Sequence, residues 1–235
     1  MTTEFLAIGL LWYVVFLFST TAHEASHALA AKLGGDLTAF HGHQASLNPL
    51  PHIRREPFGM VLVPILSYAT GGWMMGWASA PYDPYWQQKH PRRAAWMSLA
   101  GPAANFTLAL IAGIAVHIGI LMGAFTHPES VNFQRIVDPT APGVADGAAK
   151  FLSLLFSLNV LLGTFNLLPV PPLDGYSALG LFMSEGGARR LELIRQRSRN
   201  YTFIGLLLCW QIFAKLYNPI FTLALRALYP TMMYG

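Results

Sequence analysis

At 235 residues the chain has room for one large domain or two small ones, but 54% of its residues are hydrophobic and only 11% are charged, against roughly 45–50% and about 25% in a soluble domain. That composition excludes an extended disordered chain, and it excludes a water-soluble enzyme, whose surface needs more charge unless lipid covers it. The net charge of +4 is modest, nucleic acid is not an expected partner, and the single cysteine, Cys209, excludes both an internal disulfide framework and a cysteine-rich zinc module.

Taken in order, the gaps between charged residues mark the expected membrane segments, because a span needs about 20 largely apolar residues to cross roughly 30 Å of hydrocarbon. The gaps run from Phe5 to Ala22, Pro57 to Tyr82, Ala94 to Pro128 and Phe151 to Leu173. A fifth apolar segment, Tyr201 to about Leu228, carries Lys215 and Arg226, which snorkel to an interface if they lie near the helix end. The first segment has no basic region before it and no small-residue cleavage site after it, so it does not read as a removed signal peptide. No 20–50-residue repeat and no appended soluble module interrupts the chain, and residues 1–235 read as one integral membrane domain.

The connections carry an orientation signal, since Lys and Arg in short loops favour the cytoplasmic side. Three are basic: Arg54 and Arg55; Lys89, Arg92 and Arg93; and Arg189, Arg190, Arg195, Arg197 and Arg199. The stretch from Glu129 to Asp146 is acidic and reads as external. If the three basic loops share one face, the run 57–82 must begin and end there, which predicts a re-entrant hairpin broken at Pro64 and Gly71-Gly72; the alternative is one ordinary span with a weak charge bias. The expected fold is an all-α polytopic membrane protein with four to six transmembrane segments and a small extended or β-like segment near 37–48.

The first apolar segment ends in His23-Glu24-Ala25-Ser26-His27. Histidines at i and i+4 share one helix face and can hold one Zn²⁺ ion, with the intervening glutamate placed to take a proton from the metal's water. Composition alone produces this pattern about 0.007 times in such a chain. Ionisable groups at the end of an uncharged apolar run are also costly to insert, which marks them as functional. Two histidines leave the metal short of a protein ligand. The soluble metzincin extension is missing, because Ala30 and Leu33 stand where its glycine and third histidine belong. The other candidate is Asp174, which follows Asn166-Leu-Leu-Pro169-Val-Pro171-Pro172-Leu and is the first charge after Lys150.

These motifs, together with Gly101-Pro102-Ala103-Ala104-Asn105, resemble the site-2 protease family of intramembrane zinc metalloproteases, peptidase family M50, in its compact bacterial branch without PDZ or CBS domain. The segments Ser46 to Ile53, Pro57-Phe58-Gly59 and Gly76-Trp77 leading to Pro81 resemble that branch too, although Arg54-Arg55-Glu56 replaces its usual aspartate after Ile53. The resemblance implies a three-helix catalytic core and one Zn²⁺ per chain held by His23, His27 and Asp174. It implies Glu24 as general base, with Asn166 and Asn105 as substrate or oxyanion contacts. The implied activity is cleavage of single-span transmembrane substrates already trimmed outside the membrane. The implied location is the bacterial cytoplasmic membrane, with the site toward the cytoplasm and the lipid bilayer as the other partner; oligomeric state is unmarked.

Peptide hydrolysis at membrane depth also needs water, for which Thr20, Thr21 and Ser26 are the polar candidates. An unwound substrate could add as a strand to the segment 37–47 or the run 57–82. Rival readings are a polytopic zinc transporter using the same ligands and an inactive relative that shelters membrane segments. His41 and His43 read as loop histidines, His52 equally as a contact of the re-entrant region or a turn or capping residue, and His117 as a packed or interfacial one.

Overall fold

The structure is a computed structural model and describes residues 2–197 and 202–232. Among the described residues four helices are long and apolar enough to cross a membrane: α1 (Thr3–Gly34), α6 (Pro91–Leu121), α7 (Val144–Asn166) and α10 (Thr202–Leu228). The chain is thus an all-α, multi-pass membrane protein. Local chemistry sets the boundaries. Thr2 caps α1 by accepting from the Phe5 N–H, Gly35 closes it in the left-handed conformation, and prolines open α6 and lie within it at Pro102.

Helices α1, α6 and α7 pack against one another as a three-helix core, in which Trp12, Val15, Phe16, Val116, Leu154 and Phe156 are buried. Helix α10 leans on α7 through Phe213, Tyr217 and Phe221, and Phe213 and Tyr217 stack in turn along it. At one end of the bundle the Arg93 guanidinium and the Trp86 indole both donate to the Gly34 carbonyl, and Arg92 donates to the Met183 carbonyl. The short helices α3 (Pro49–Arg55), α5 (Pro84–Lys89) and α9 (Glu185–Arg197) belong to the basic connections. At the other end, a two-stranded antiparallel ribbon joins β1 (Phe125–Thr126) to β2 (Asp138–Pro139). There Phe133 stacks on Trp12 and the Tyr229 hydroxyl donates to the Ile136 carbonyl.

The run 57–82 is a hairpin in shape. One wide turn, Phe58–Leu62, continues into α4 (Val63–Gly71), about 21 Å of helix at 1.5 Å per residue, which is short of the roughly 30 Å hydrocarbon layer. Gly72, at φ 71°, reverses the chain in a conformation that costs glycine nothing. The return strand is extended. Its Trp77 N–H donates to the Gly59 carbonyl at 3.2 Å, and the Ser79 hydroxyl donates to Glu56. Both ends of the run therefore meet, while its tip reaches the start of α1, where the Tyr68 hydroxyl donates to the Phe5 carbonyl.

Two expectations are corrected. The segment 37–48 is not β-like: it forms a helical turn, α2 (Thr38–His41), followed by bends. The cause is Asp36, whose Oδ1 accepts from both the N–H and the hydroxyl of Thr38 while its Oδ2 accepts from the Asp83 N–H. That is a local side-chain turn that competes with extension. Arg226 lies in the last turn of α10, but Lys215 lies at its midpoint, about 20 Å from either end, and shares an exposed face with Gln211 and Asn218. It is too central to snorkel. Arg199 and Tyr201 lie outside the described residues.

Candidate metal centre

His23 and His27, one helical turn apart on α1, point at the same carboxylate. Asp174 opens a short helix, α8 (Asp174–Ala178), just past the turns that end α7. Its Oδ2 lies 3.1 Å from His23 Nε2 and 3.2 Å from His27 Nε2, and the two Nε2 atoms are 3.0 Å apart. Among the described residues this is the only group of three or more His, Cys, Asp or Glu donors that converges in this way.

The donor set fits a tetrahedral metal ion. Bonds of about 2.0–2.1 Å separate the ligand atoms of a tetrahedral zinc by about 3.3–3.4 Å, within a few tenths of an ångström of the observed triangle. The outer nitrogens support the same conclusion. His27 Nδ1 lies 2.8 Å from the Met97 carbonyl, which can only accept, so Nδ1 carries a proton and, in the neutral imidazole, Nε2 keeps the lone pair. His23 Nδ1 lies 2.6 Å from the Asn105 side-chain oxygen. With protons on both Nδ1 atoms, two lone pairs and a carboxylate face one another at about hydrogen-bond distance, an arrangement that a cation between them stabilises.

Helix α6 is pressed onto this pair because residue 101 is glycine. A Cβ there would overlap the imidazoles of both His23 and His27, so only glycine lets Met97 and Asn105, one turn to either side, reach the outer nitrogens. Glu24 sits between the ligands, buried at 8% exposure, and makes no hydrogen bond or ion pair among the described residues. A carboxylate so placed is costly to bury idle.

The structure gives Asn105 a different place from the substrate contact expected of it. It is fully buried, its oxygen is engaged by His23, and its amide nitrogen donates to Asn159 Oδ1 at 2.8 Å. Both ends are spent on the protein, so in this structure Asn105 backs the His23 imidazole. Asn166 ends α7, half buried, with its amide donating to the Leu162 carbonyl, and it shares no hydrogen bond with the three donors among the described residues. The Thr20 and Ser26 hydroxyls donate to carbonyls of their own helix, and Thr21 is enclosed at 1% exposure. His52 packs against the Ser46 carbonyl and His117 against that of Leu228, while His41 and His43 are exposed. Residues missed at the sequence level are Asn159 and Ser19, whose side chains continue the buried chain beyond Asn105. The only signal was an amide in an otherwise apolar run.

A sequence model of peptidase family M50 matches residues 11–210. The Bacillus subtilis (strain 168) protein named "Putative zinc metalloprotease YwhC" is 30% identical over 192 residues, which is 81% of this chain and 75% of that protein. The Mycolicibacterium smegmatis protein named "Putative zinc metalloprotease Rip2" is 30% identical over 193 residues, 82% of this chain and 65% of that protein. No solved structure matches the chain. The family match spans the whole converging constellation, from His23 through Asp174, and the chain belongs to peptidase family M50.

Proposed function

We propose that the protein is a zinc-dependent intramembrane endopeptidase of the site-2 type that cleaves the transmembrane segments of single-span proteins. The observation that carries this reading is the convergence of His23 Nε2, His27 Nε2 and Asp174 Oδ2 within 3.2 Å, with the idle, buried carboxylate of Glu24 on the same helical turn. His23, His27 and Asp174 would hold a Zn²⁺ ion, which would supply a Lewis acid for the scissile carbonyl and lower the pKa of water toward about 7. Glu24 accepts the proton from the attacking water and returns it to the leaving amide nitrogen. Asn105 and the Met97 carbonyl hold the imidazoles in the orientation and tautomer that ligation needs. Asn166, eight residues before Asp174, is the proposed contact for the substrate carbonyl.

Depth and orientation support a membrane substrate. His23 lies about 30 Å along α1 from Thr3, comparable to the hydrocarbon thickness, at the end of the bundle where the basic connections gather. The positive-inside bias makes that end cytoplasmic. Acid–base assistance contributes about 10²–10⁴-fold. Glu24→Gln is therefore expected to retain its zinc and to lose cleavage of a co-expressed single-span reporter by at least about 100-fold. Cleavage that survives Glu24→Gln in zinc-loaded protein would overturn the assignment, whereas zinc flux that survives it would point to transport.

A further inference from the structure

Asn159, on α7, touches no metal ligand, yet it is fully buried and every polar atom of its side chain is engaged. Its Nδ2 donates to the Leu155 carbonyl and to Ser19 Oγ, both at 2.8 Å, and its Oδ1 accepts from Asn105 Nδ2 at 2.8 Å. Side-chain amides are easily exchanged end for end, and a serine hydroxyl tolerates either end. A main-chain carbonyl does not, because it can only accept. The Leu155 carbonyl therefore obliges Asn159 to turn its nitrogen inward along α7 and its oxygen toward α6. Asn105 must answer with its own nitrogen, which leaves its oxygen facing His23 Nδ1, 2.6 Å away. That oxygen demands a proton on Nδ1, and the lone pair is left on Nε2, the atom that faces Asp174 and His27.

We propose that Asn159 is a positioning residue for the metal centre: by reading the Leu155 carbonyl and fixing the direction of the Asn105 amide, it holds His23 in the tautomer whose Nε2 can ligate the metal. The inference rests on the metal-binding reading above and deepens it. The relay runs Leu155 to Asn159 to Asn105 to His23, with Ser19 as a second anchor, and links α7, α6 and α1 in one directed chain. Without Asn159, Asn105 can rotate its nitrogen toward His23 Nδ1, which then becomes an acceptor and moves the imidazole proton to Nε2, where it competes with the metal. His27 needs no such relay because it reads the Met97 carbonyl directly.

The test is the affinity of the purified full-length protein for Zn²⁺, measured by competition with a chelating indicator. Outer-shell partners of metal-bound histidines are typically worth 10–100-fold in affinity, so Asn159→Leu is expected to weaken zinc binding by about 10–100-fold. Adding Asn105→Asp should restore it to within about threefold, because a carboxylate accepts from His23 Nδ1 whichever way it is turned. A residue that merely fills space in α7 would not be rescued by a change on α6. Unchanged affinity in folded Asn159→Leu, or failure of the double variant to recover it, overturns the proposal. If Asn159→Leu does not fold, Asn159→Asp carries the test. In its protonated form it donates to Leu155 and accepts from Asn105, so it must stay within about threefold of wild type; a loss of 10-fold or more overturns the proposal. Wild-type protein that binds no zinc, or His23→Ala that binds as wild type does, would defeat the metal-centre reading instead. Wild-type binding lost in His23→Ala but untouched in Asn159→Leu defeats only the relay.

Discussion

A methyl group added at Gly101 would overlap the imidazoles of His23 and His27 together, and neither ring has a free direction of retreat. His23 is held from behind by Asn105 and His27 by the Met97 carbonyl, while both face Asp174 in front. The strain must go into separating α6 from α1 or into spreading the three donors. Gly101→Ala is expected to cost about 1–3 kcal/mol of stability, as overpacking does, and to lower zinc affinity at the same time. Gly147→Ala, which meets nothing within 4 Å in α7, should leave zinc affinity unchanged and gain up to about 1 kcal/mol of stability, as replacing a helical glycine does; unfolding midpoints and zinc competition on the two variants check this. The contrast explains which residues of the centre were legible in the sequence. His23, Glu24 and His27 are written as a local spacing, and helical geometry converts five residues into one face. Asp174 gains meaning only from the ligand those histidines lack. Asn159 has no local pattern: its side-chain partners stand 54 and 140 residues away, and a single amide in an apolar helix reads as packing. Asn105 was noticed, but its neighbours in sequence do not say whether it faces a substrate or a histidine.

Helix α9 turns its charges the wrong way round for a helix in water. Glu192 is buried beneath it and pairs with Arg195, one turn on, while Leu193 and Ile194 are exposed. Gln87 donates to Glu192, and Arg195 reaches Tyr82 and Gln87, so the pair bolts α9 to the segment that enters α6. Burial works against the charge on Arg195, but its hydrogen bonds to Glu192 and the proximity of Tyr82 outweigh that and raise its pKa. The guanidinium is a permanent cation holding a buried anion. Arg195→Leu removes the cation and is expected to cost about 3–5 kcal/mol, whereas Glu192→Leu with Arg195→Leu should recover most of the loss, since an apolar replacement of a buried pair is often neutral. Denaturation in detergent and the rate of tryptic cleavage at Arg189 and Arg190 measure both effects. Equal loss in the single and double variants would mean that the pair is incidental. The Tyr176 hydroxyl, on α8, donates to the Leu191 carbonyl, so α9 also supports the helix that begins with Asp174. At this scale the fold is legible in the sequence where breaks are chemical, as at Gly72, and obscure where a side chain rewrites the backbone, as Asp36 does for residues 37–48.

Charge placement over the whole molecule agrees with the way the chain is tied. Contacts among Gly34, Arg93, Arg92 and Met183 gather the basic connections at one end, and the Glu56–Ser79 hydrogen bond returns the hairpin to the end it left. A single straight span over 57–82 would place Glu56 and Ser79 on opposite faces, a membrane thickness apart. That the basic connections share one end was therefore legible from a handful of loop arginines and lysines, because the rule concerns the ends of spans, which are explicit in sequence. The depth of the hairpin was not, because it depends on where Tyr68 meets α1. Topology follows as a labelling pattern in a Cys209→Ala background. Arg54→Cys, Tyr85→Cys and Arg190→Cys, at exposed positions flanking the hairpin and on α9, should react with a membrane-impermeant maleimide only in inverted vesicles. Val144→Cys, 91% exposed at the start of α7, should react only in intact cells. Residues 54 and 85 labelled from opposite faces would make 57–82 a true span, reverse the sense of α6 and α7 relative to α1, and separate Asp174 from the two histidines by the thickness of the bilayer. Common labelling of residues 54, 85 and 190 is thus a condition for the metal centre as well as for the topology.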